Sequence, residues 1–510
     1  MVALEPGKDP TYLVLGWRVN RSLDPEYWLK RSAKSGAQSE GDLVKVPAPA
    51  TGNHTAIIAQ SGSGKSFFLG RLVEELLLQT KSRCVILDPN ADFRRVHEVE
   101  GPALWDAAAY DAHRRRGRLP HEASRAAFET LWSRVPIRIS TGAEDHSGPY
   151  ESLQLSWPSL SIDFLAEDLA PMLRSELYHC HAFVQIIAAL AARKKEKGKG
   201  LINEAERLLR MARQLSEADF RSVIERDFDV SPYRSWLRLL TAFGLSVRKP
   251  VERALTAAAY VSDDVTKFYF GRAREYEAAG ILAKDDKALE SALTPAPRLE
   301  VVDLPSLPDK STRLLAVNAL LTTEWERARR SWAEALARPR DDDDRVPTFI
   351  VVDEAHNLIP LKPANRAEEA LTEQFRTIVA EGRKYGLFVI LVSQRPDKLD
   401  RLVLSECENK AIMRLGSGSV LKVTQEMLGL EDVPPKVLEK CLEFEMGRGL
   451  LIGPWAPDGQ QQFYCAARRT VEGGRNLRSD HWAAPPSSAK AADDRAAAAS
   501  DKLPEKPSVS

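Results

Sequence analysis

The chain has 510 residues, with 72 Lys and Arg against 72 Asp and Glu and 44% hydrophobic residues. That length exceeds one compact domain, and the apolar fraction is enough to fill a sizeable core. A formal net charge of zero argues against a protein that coats nucleic acid through an overall basic surface, and leaves any such contact to a local patch such as the lining of a pore.

The opening segment, MVALEPGKDPTYLVLGW, has neither the basic start nor the long apolar core of a signal peptide. No apolar run approaches the ~20 residues needed to span a bilayer, so a soluble, cytoplasmic protein is expected. Residues 1–46 hold one apolar stretch, Tyr12–Val19, and read as a short N-terminal β extension with a polar loop. Residues 47–155 start a different pattern. A strand at Thr55–Ala59, a Gly/Ser loop, an amphipathic helix from Ser66 to about Leu78 and a second apolar strand at Arg83–Asp88 make a βαβ unit, which implies an α/β fold with a parallel sheet.

From 156 to 295 the sheet signal is lost. Leu177, Cys180, Val184, Ile187 and Ala191 recur at helical spacing, and further helices are expected at 204–216, 233–242 and 251–258, with a solvated turn at 193–199. The segment reads as a helical insertion. Within it, His179-Cys180-His181 resembles a metal cluster, but neighbours on a helix point in different directions, so these are expected to be ordinary helix residues. The five cysteines form no C-x-x-C pair, which argues against a zinc or redox motif and fits reduced thiols.

Residues 296–474 return to α/β character. Strands are expected at Leu299–Leu304, Thr348–Asp353 and Leu387–Ser393, with helices at about 311–337 and 367–383 and β-rich pieces at Ala411–Leu415 and Gly449–Gly453. The acidic run Asp341–Asp344 lacks a turn glycine and reads as a solvated loop. The tail, 475–510, is rich in Ala, Pro, Ser, Asp and Lys and is expected to be disordered.

The chemistry concentrates at three strand ends. In Ala59-Gln-Ser-Gly-Ser-Gly-Lys65-Ser66 the spacing is that of a P-loop, with Ala59 in place of the first glycine. Gly62 and Gly64 let the backbone wrap so that amides face phosphates, and the following helix adds its positive end. Lys65 would reach the β- and γ-phosphates, Ser66 would hold Mg²⁺, and Ser61, Gly62, Ser63, Gly64, Lys65, Ser66 and Phe67 form the candidate nucleotide-binding set. The apolar strand Phe349–Val352 ends in Asp353-Glu354, a candidate Mg²⁺ carboxylate and a candidate base for an attacking water. Gln394, just past Leu387–Ser393, is a candidate γ-phosphate sensor or a plain surface residue. Arg383-Lys384 precede the same strand at its other end. They are either cations complementing a helix C-terminus capped by Gly386, or an arginine offered to a neighbouring subunit's site.

Together, AQSGSGKS (59–66), ILDPNADF (86–93), VVDEAHN (351–357), EGRKYGLFVILVSQRP (381–396) and NKAIMRL (409–415) resemble the HerA/FtsK superfamily of P-loop ATPases, the HerA branch in particular, over about half the chain. The resemblance implies a RecA-like core, ATP and Mg²⁺ as cofactors, a homohexameric ring, and ATP-driven movement of double-stranded DNA through its pore. It also implies a partner nuclease or other defence effector and no membrane insertion. It gives Lys65 and Ser66 the Walker A roles, Asp353 and Glu354 the Walker B roles, Gln394 the sensor role and Arg383 a trans-acting role. Two features depart from the family. DPNADF stands where a His-Gly-Glu version is usual, and too few residues precede the P-loop for the family's N-terminal β-barrel. Two rival functions follow: an ATPase that scaffolds or regulates an effector without pumping DNA, and a conjugation or secretion motor recruited to a membrane by a partner.

Overall fold

The computed structural model describes residues 11–19, 43–101, 125–142, 148–153, 155, 171–191, 201–227, 254–255, 257–278, 296–339, 343–456 and 459–473, all within the unit Met1–Gly473. The turn expected at 193–199, the helix at 233–242, part of that at 251–258 and the tail from 475 lie outside the described residues.

The strands are β1 (Tyr12–Arg18), β2 (Leu43–Pro47), β3 (Thr55–Ile58), β4 (Arg83–Asp88), β5 (Ile137–Thr141), β6 (Tyr150–Ser152), β7 (Leu299–Asp303), β8 (Thr348–Val352), β9 (Leu387–Ser393), β10 (Asn409–Ile412), β11 (Arg448–Ile452) and β12 (Gln460–Cys465). The helices are α1 (Lys65–Gln79), α2 (Arg125–Trp132), α3 (Pro171–Ala191), α4 (Leu201–Ala212), α5 (Glu217–Asp227), α6 (Asp263–Ala278), α7 (Lys310–Leu336), α8 (Arg366–Tyr385), α9 (Arg401–Ser405), α10 (Gly418–Met427) and α11 (Pro435–Glu439).

One twelve-stranded sheet runs β2-β1-β12-β11-β10-β3-β9-β8-β4-β7-β5-β6. From β10 to β6 every neighbouring pair is parallel, whereas β11, β12, β1 and β2 join antiparallel. The central parallel strands β4, β8 and β9 are apolar because both faces are covered. Ile350 and Val352 of β8 pack with Leu314 and Val317 of α7 and Leu371 and Phe375 of α8. Phe349 and Val351, pointing the other way, pack with Phe68, Leu72 and Leu76 of α1. This is an α/β fold with helices on both faces of a mainly parallel sheet.

The N-terminal strands sit in that same sheet, with Gly16 of β1 opposite Cys465 and Leu13 opposite Val46 of β2. Between 171 and 278 the described chain is mainly helical, and Leu177, Cys180, Val184 and Ile187 of α3 are buried with Leu208 of α4 and Val265 of α6. There His181 Nδ1 lies 2.6 Å from the Tyr269 hydroxyl, His179 stacks on Tyr260, and burial pushes the Cys180 thiol up out of the range where it ionises. No described helix is long and apolar enough to cross a membrane.

Candidate nucleotide site

Because β3, β9, β8 and β4 are adjacent and parallel, their C-terminal ends share one edge of the sheet. That edge collects the P-loop, Ser393, Asp353-Glu354 and Asp88. The P-loop leaves β3 after Ala59, and the loop amide of Gln60 donates to the Arg414 carbonyl at 3.0 Å, which ties it to the segment after β10. Gly62 (φ 72°) and Gly64 (φ 94°) adopt the left-handed conformation that side chains disfavour. Ala91 and Glu354 are the only non-glycine residues with positive φ among the described residues, so Ala59 in the first P-loop position keeps ordinary backbone.

Lys65, at the first position of α1, reaches across to β8. Its Nζ lies 2.8 Å from Asp353 Oδ1 and 2.5 Å from Glu354 Oε1. Burial works to lower the lysine's pKa, but the two carboxylates overcome it and hold the pKa above its usual value. Asp353 Oδ2, Glu354 Oε2 and the Ser63 hydroxyl are buried and make no hydrogen bond among the described residues. Buried polar atoms are rarely left so without a ligand to meet. A glycine cradle, a cation and two carboxylates that each keep a buried oxygen without a hydrogen bond fit a polyphosphate and a divalent metal. Glu354 also sits at φ 44°, ψ 48°, a conformation costing about 1–2 kcal/mol outside glycine. Such strain collects at functional sites.

Ser66, proposed from sequence as a Mg²⁺ ligand, donates its hydroxyl to Asp92 Oδ2 at 2.8 Å. Asp92 and Asp88 were not candidates, although both stand in the DPNADF segment. The Asp88 carboxylate accepts the amides of Asn90, Asp92 and Phe93 at 2.8–3.2 Å and so shapes the turn after β4. Burial pushes the Asp88 pKa up to about 7 despite those bonds, and raises that of Asp92 against the opposing hydrogen bond from Ser66.

His356 is a second residue that spacing did not single out, though it stands two positions after Glu354. Its Nδ1 lies 3.4 Å from Glu354 Oε2 and 3.1 Å from Ser393 Oγ, which links β8 to the tip of β9. Burial lowers its pKa, against the pull of Glu354. Gln394 follows Ser393 and is exposed, as are Ser61 and Gly62, while Phe67 is half-buried. Arg383 stands apart from all of these. It pairs with Glu408 at 2.5 Å at the N-terminal end of β9, the length of a seven-residue strand, roughly 20 Å, from Ser393. Lys384 lies over the Trp332 ring, 4.5 Å from its centroid.

The family model for the central domain of helicase HerA matches residues 44–127. A probable helicase of Methanocaldococcus jannaschii is 27% identical over 212 residues, 38% of this chain and 40% of that protein. A DNA double-strand break repair helicase HerA of Sulfolobus acidocaldarius is 29% identical over 157 residues, 31% of this chain and 29% of its own length. The chain therefore spans less than half the length of these curated relatives. The solved structure of VirB4 of Thermoanaerobacter pseudethanolicus aligns over 90% of this chain and 97% of its own at 15% identity with a TM-score of 0.42, and at that score the fold reading rests on the strand order given above. The P-loop, its glycine conformations, the carboxylate pair at the end of β8 and these matches together make the chain similar to the HerA/FtsK superfamily of P-loop proteins.

Proposed function

We propose that the chain hydrolyses ATP with Mg²⁺ and uses the energy to translocate double-stranded DNA. The carrying observation is the contact of Lys65 with both Asp353 and Glu354 across two strand ends. A γ-phosphate entering the P-loop would compete for Lys65 and release the carboxylates to their own tasks. In this reading the loop from Ser61 to Phe67 holds the phosphates, and Ser66 and Asp353 hold Mg²⁺, which supplies charge neutralisation on the phosphates. Glu354 accepts the proton of the attacking water, and Gln394 lies near the γ-phosphate. The assembly is a homohexamer that passes DNA through its pore and serves a partner nuclease or defence effector, with the helical segment 156–295 as an insertion in the ATPase core.

The test combines Lys65→Ala with a DNA readout. Wild-type protein should hydrolyse ATP faster with linear duplex DNA and displace a bound triplex strand. Lys65→Ala should lose both activities along with nucleotide binding. Unchanged nucleotide affinity in that variant overturns the P-loop assignment. ATPase activity indifferent to DNA, with no strand displaced, overturns translocation and leaves a scaffold ATPase.

A further inference from the structure

The segment after β12 runs back across the nucleotide edge of the sheet, and it grips the turn that carries Asp92. The Gly473 amide donates to the Asp92 carbonyl at 2.9 Å. Arg468, 1% exposed, donates from Nη2 to the carbonyls of Asp92 and Val471, both at 3.2 Å, and its guanidinium lies 4.5 Å from the Phe93 ring centroid. The other side of this strap is fixed to α1. Glu74 Oε1 accepts the amides of Arg469 and Thr470 and the Thr470 hydroxyl at 2.8–2.9 Å. Arg468 crosses α1 at Gly70, where a Cβ would come within 2.3 Å of the arginine Cδ. A Cβ on Gly473 would fall 2.1 Å from the Ala91 carbonyl oxygen, at the left-handed corner of the turn. The strap, the turn and the helix that follows the P-loop are thus one fastened unit.

The unit has a chemical result at Ser66. Its hydroxyl donates to Asp92 Oδ2 at 2.8 Å, with Glu472 of the strap beside it as a second acceptor, so the oxygen's lone pairs are left for a cation. Asp353, the carboxylate at the end of β8, meets Lys65 through Oδ1 and keeps Oδ2 without a hydrogen bond among the described residues. We propose that Asp92 is a positioning residue that orients the Ser66 hydroxyl for a divalent cation, and that Arg468 sets where Asp92 stands. This rests on the P-loop reading of the site. It makes metal affinity, more than phosphate affinity, depend on a strap that joins the protein almost four hundred positions later in the chain. Partners one shell out from a metal commonly control its affinity by about 10–100-fold.

Titration calorimetry of ADP in Mg²⁺ and in EDTA tests this on the full chain. In Asp92→Ala, ADP affinity should fall about tenfold in Mg²⁺ and hold in EDTA, because Lys65 and the loop amides are intact. Asp92→Asn, which keeps an acceptor oxygen, should lose less. Arg468→Met should reproduce the selective loss and Arg468→Lys should restore part of it. A ratio of Mg²⁺ to EDTA affinity that is unchanged or raised in an Asp92→Ala protein of wild-type melting temperature overturns the proposal, even if the Arg468 variants fail to fold. A wild-type protein that binds ADP in neither condition overturns both this proposal and the P-loop reading.

Discussion

The two ends of the parallel strands solve opposite problems with the same backbone. At the N-terminal ends, polar groups are largely spent on each other, although His54 Nε2 is buried without a hydrogen bond among the described residues. His54 Nδ1 accepts the Val389 amide at 3.0 Å, and Asn409 bonds the Ala50 carbonyl and the Trp455 amide. Arg83 is buried between Glu300 and Glu324. At the C-terminal ends, oxygens of Asp353 and Glu354 are buried without a hydrogen bond among the described residues, Glu354 Oε2 having the His356 ring 3.4 Å away, and Glu354 is held in a left-handed conformation. Buried polar groups left unpaired cost about 1–3 kcal/mol each. The cores of β4 and β9 between the two ends are fully buried, so the closed end can support the open one.

Changes at the open end should alter chemistry and spare the fold. Glu354→Gln keeps the size of the side chain and removes the basic oxygen pair. Turnover of ATP should fall by about 10²–10⁴-fold, the usual worth of a positioned base, while nucleotide affinity stays near wild type. Single-turnover hydrolysis together with a binding titration reads both. A variant that turns over at the wild-type rate would remove Glu354 from the base role and break the contrast between the two ends at its strongest point.

The same contrast explains what could be read from sequence. β4 and β9 agree with their expected bounds to the residue, because strands buried on both faces are continuous apolar runs flanked by polar turns. The meeting of the P-loop with Asp353-Glu354 was legible because the proposed phosphate and metal chemistry would fix their residue types and spacing. Of the antiparallel flank, β1 and β11 stood out as Tyr12–Val19 and Gly449–Gly453, but β12 and the bounds of β2 did not. Gln460–Cys465 carries only two buried residues, Phe463 and Tyr464, and β2 is a five-residue strand among polar sequence, so periodicity has little to work on. His356 was hidden within a motif read for its acids. Arg468 had no local signal at all, since its partners Asp92 and Phe93 are supplied by tertiary structure alone.

Changes at the closed end should alter stability, and acid offers a way in. Burial lowers the pKa of His54 from 6.5 to about 4, helped by the charge of Arg383 and opposed by Glu408. A neutral ring is required because Nδ1 accepts a hydrogen bond. With the folded value depressed, this residue's contribution is complete above pH 6.5 and is lost as pH falls, when the unfolded chain takes up a proton that the folded chain refuses. At about 1.4 kcal/mol per unit, the loss should reach about 2–3 kcal/mol by pH 4.5. Urea unfolding of wild type and His54→Asn at pH 7.5, 5.5 and 4.5 isolates the term as a narrowing gap between them. A gap that does not change with pH would show that His54 titrates as it does in the unfolded chain.

The smallest expected effect on the fold separates two roles for one residue. Arg383 and Glu408 are each about half exposed, at 48% and 47%, and such pairs contribute about 0–1 kcal/mol. Arg383→Ala should therefore move the urea midpoint at pH 7.5 very little. It should also make acid unfolding slightly shallower, since removing its charge lets the folded pKa of His54 rise. Within its own subunit Arg383 is a strand's length from the phosphate edge, so a lone chain would hydrolyse ATP equally well without it. In the proposed ring, a head-to-tail interface brings one subunit's edge to the next subunit's site. An arginine supplied in this way is worth about 10³–10⁵-fold in turnover. The expected result is an Arg383→Ala protein that folds and binds nucleotide normally but hydrolyses ATP poorly. Mixing it with Glu354→Gln subunits should recover activity at interfaces that pair an intact base with an intact arginine. If Arg383→Ala forms rings and hydrolyses ATP at the wild-type rate, Arg383 belongs wholly to the closed end, as a surface ion pair beside His54 and nothing more.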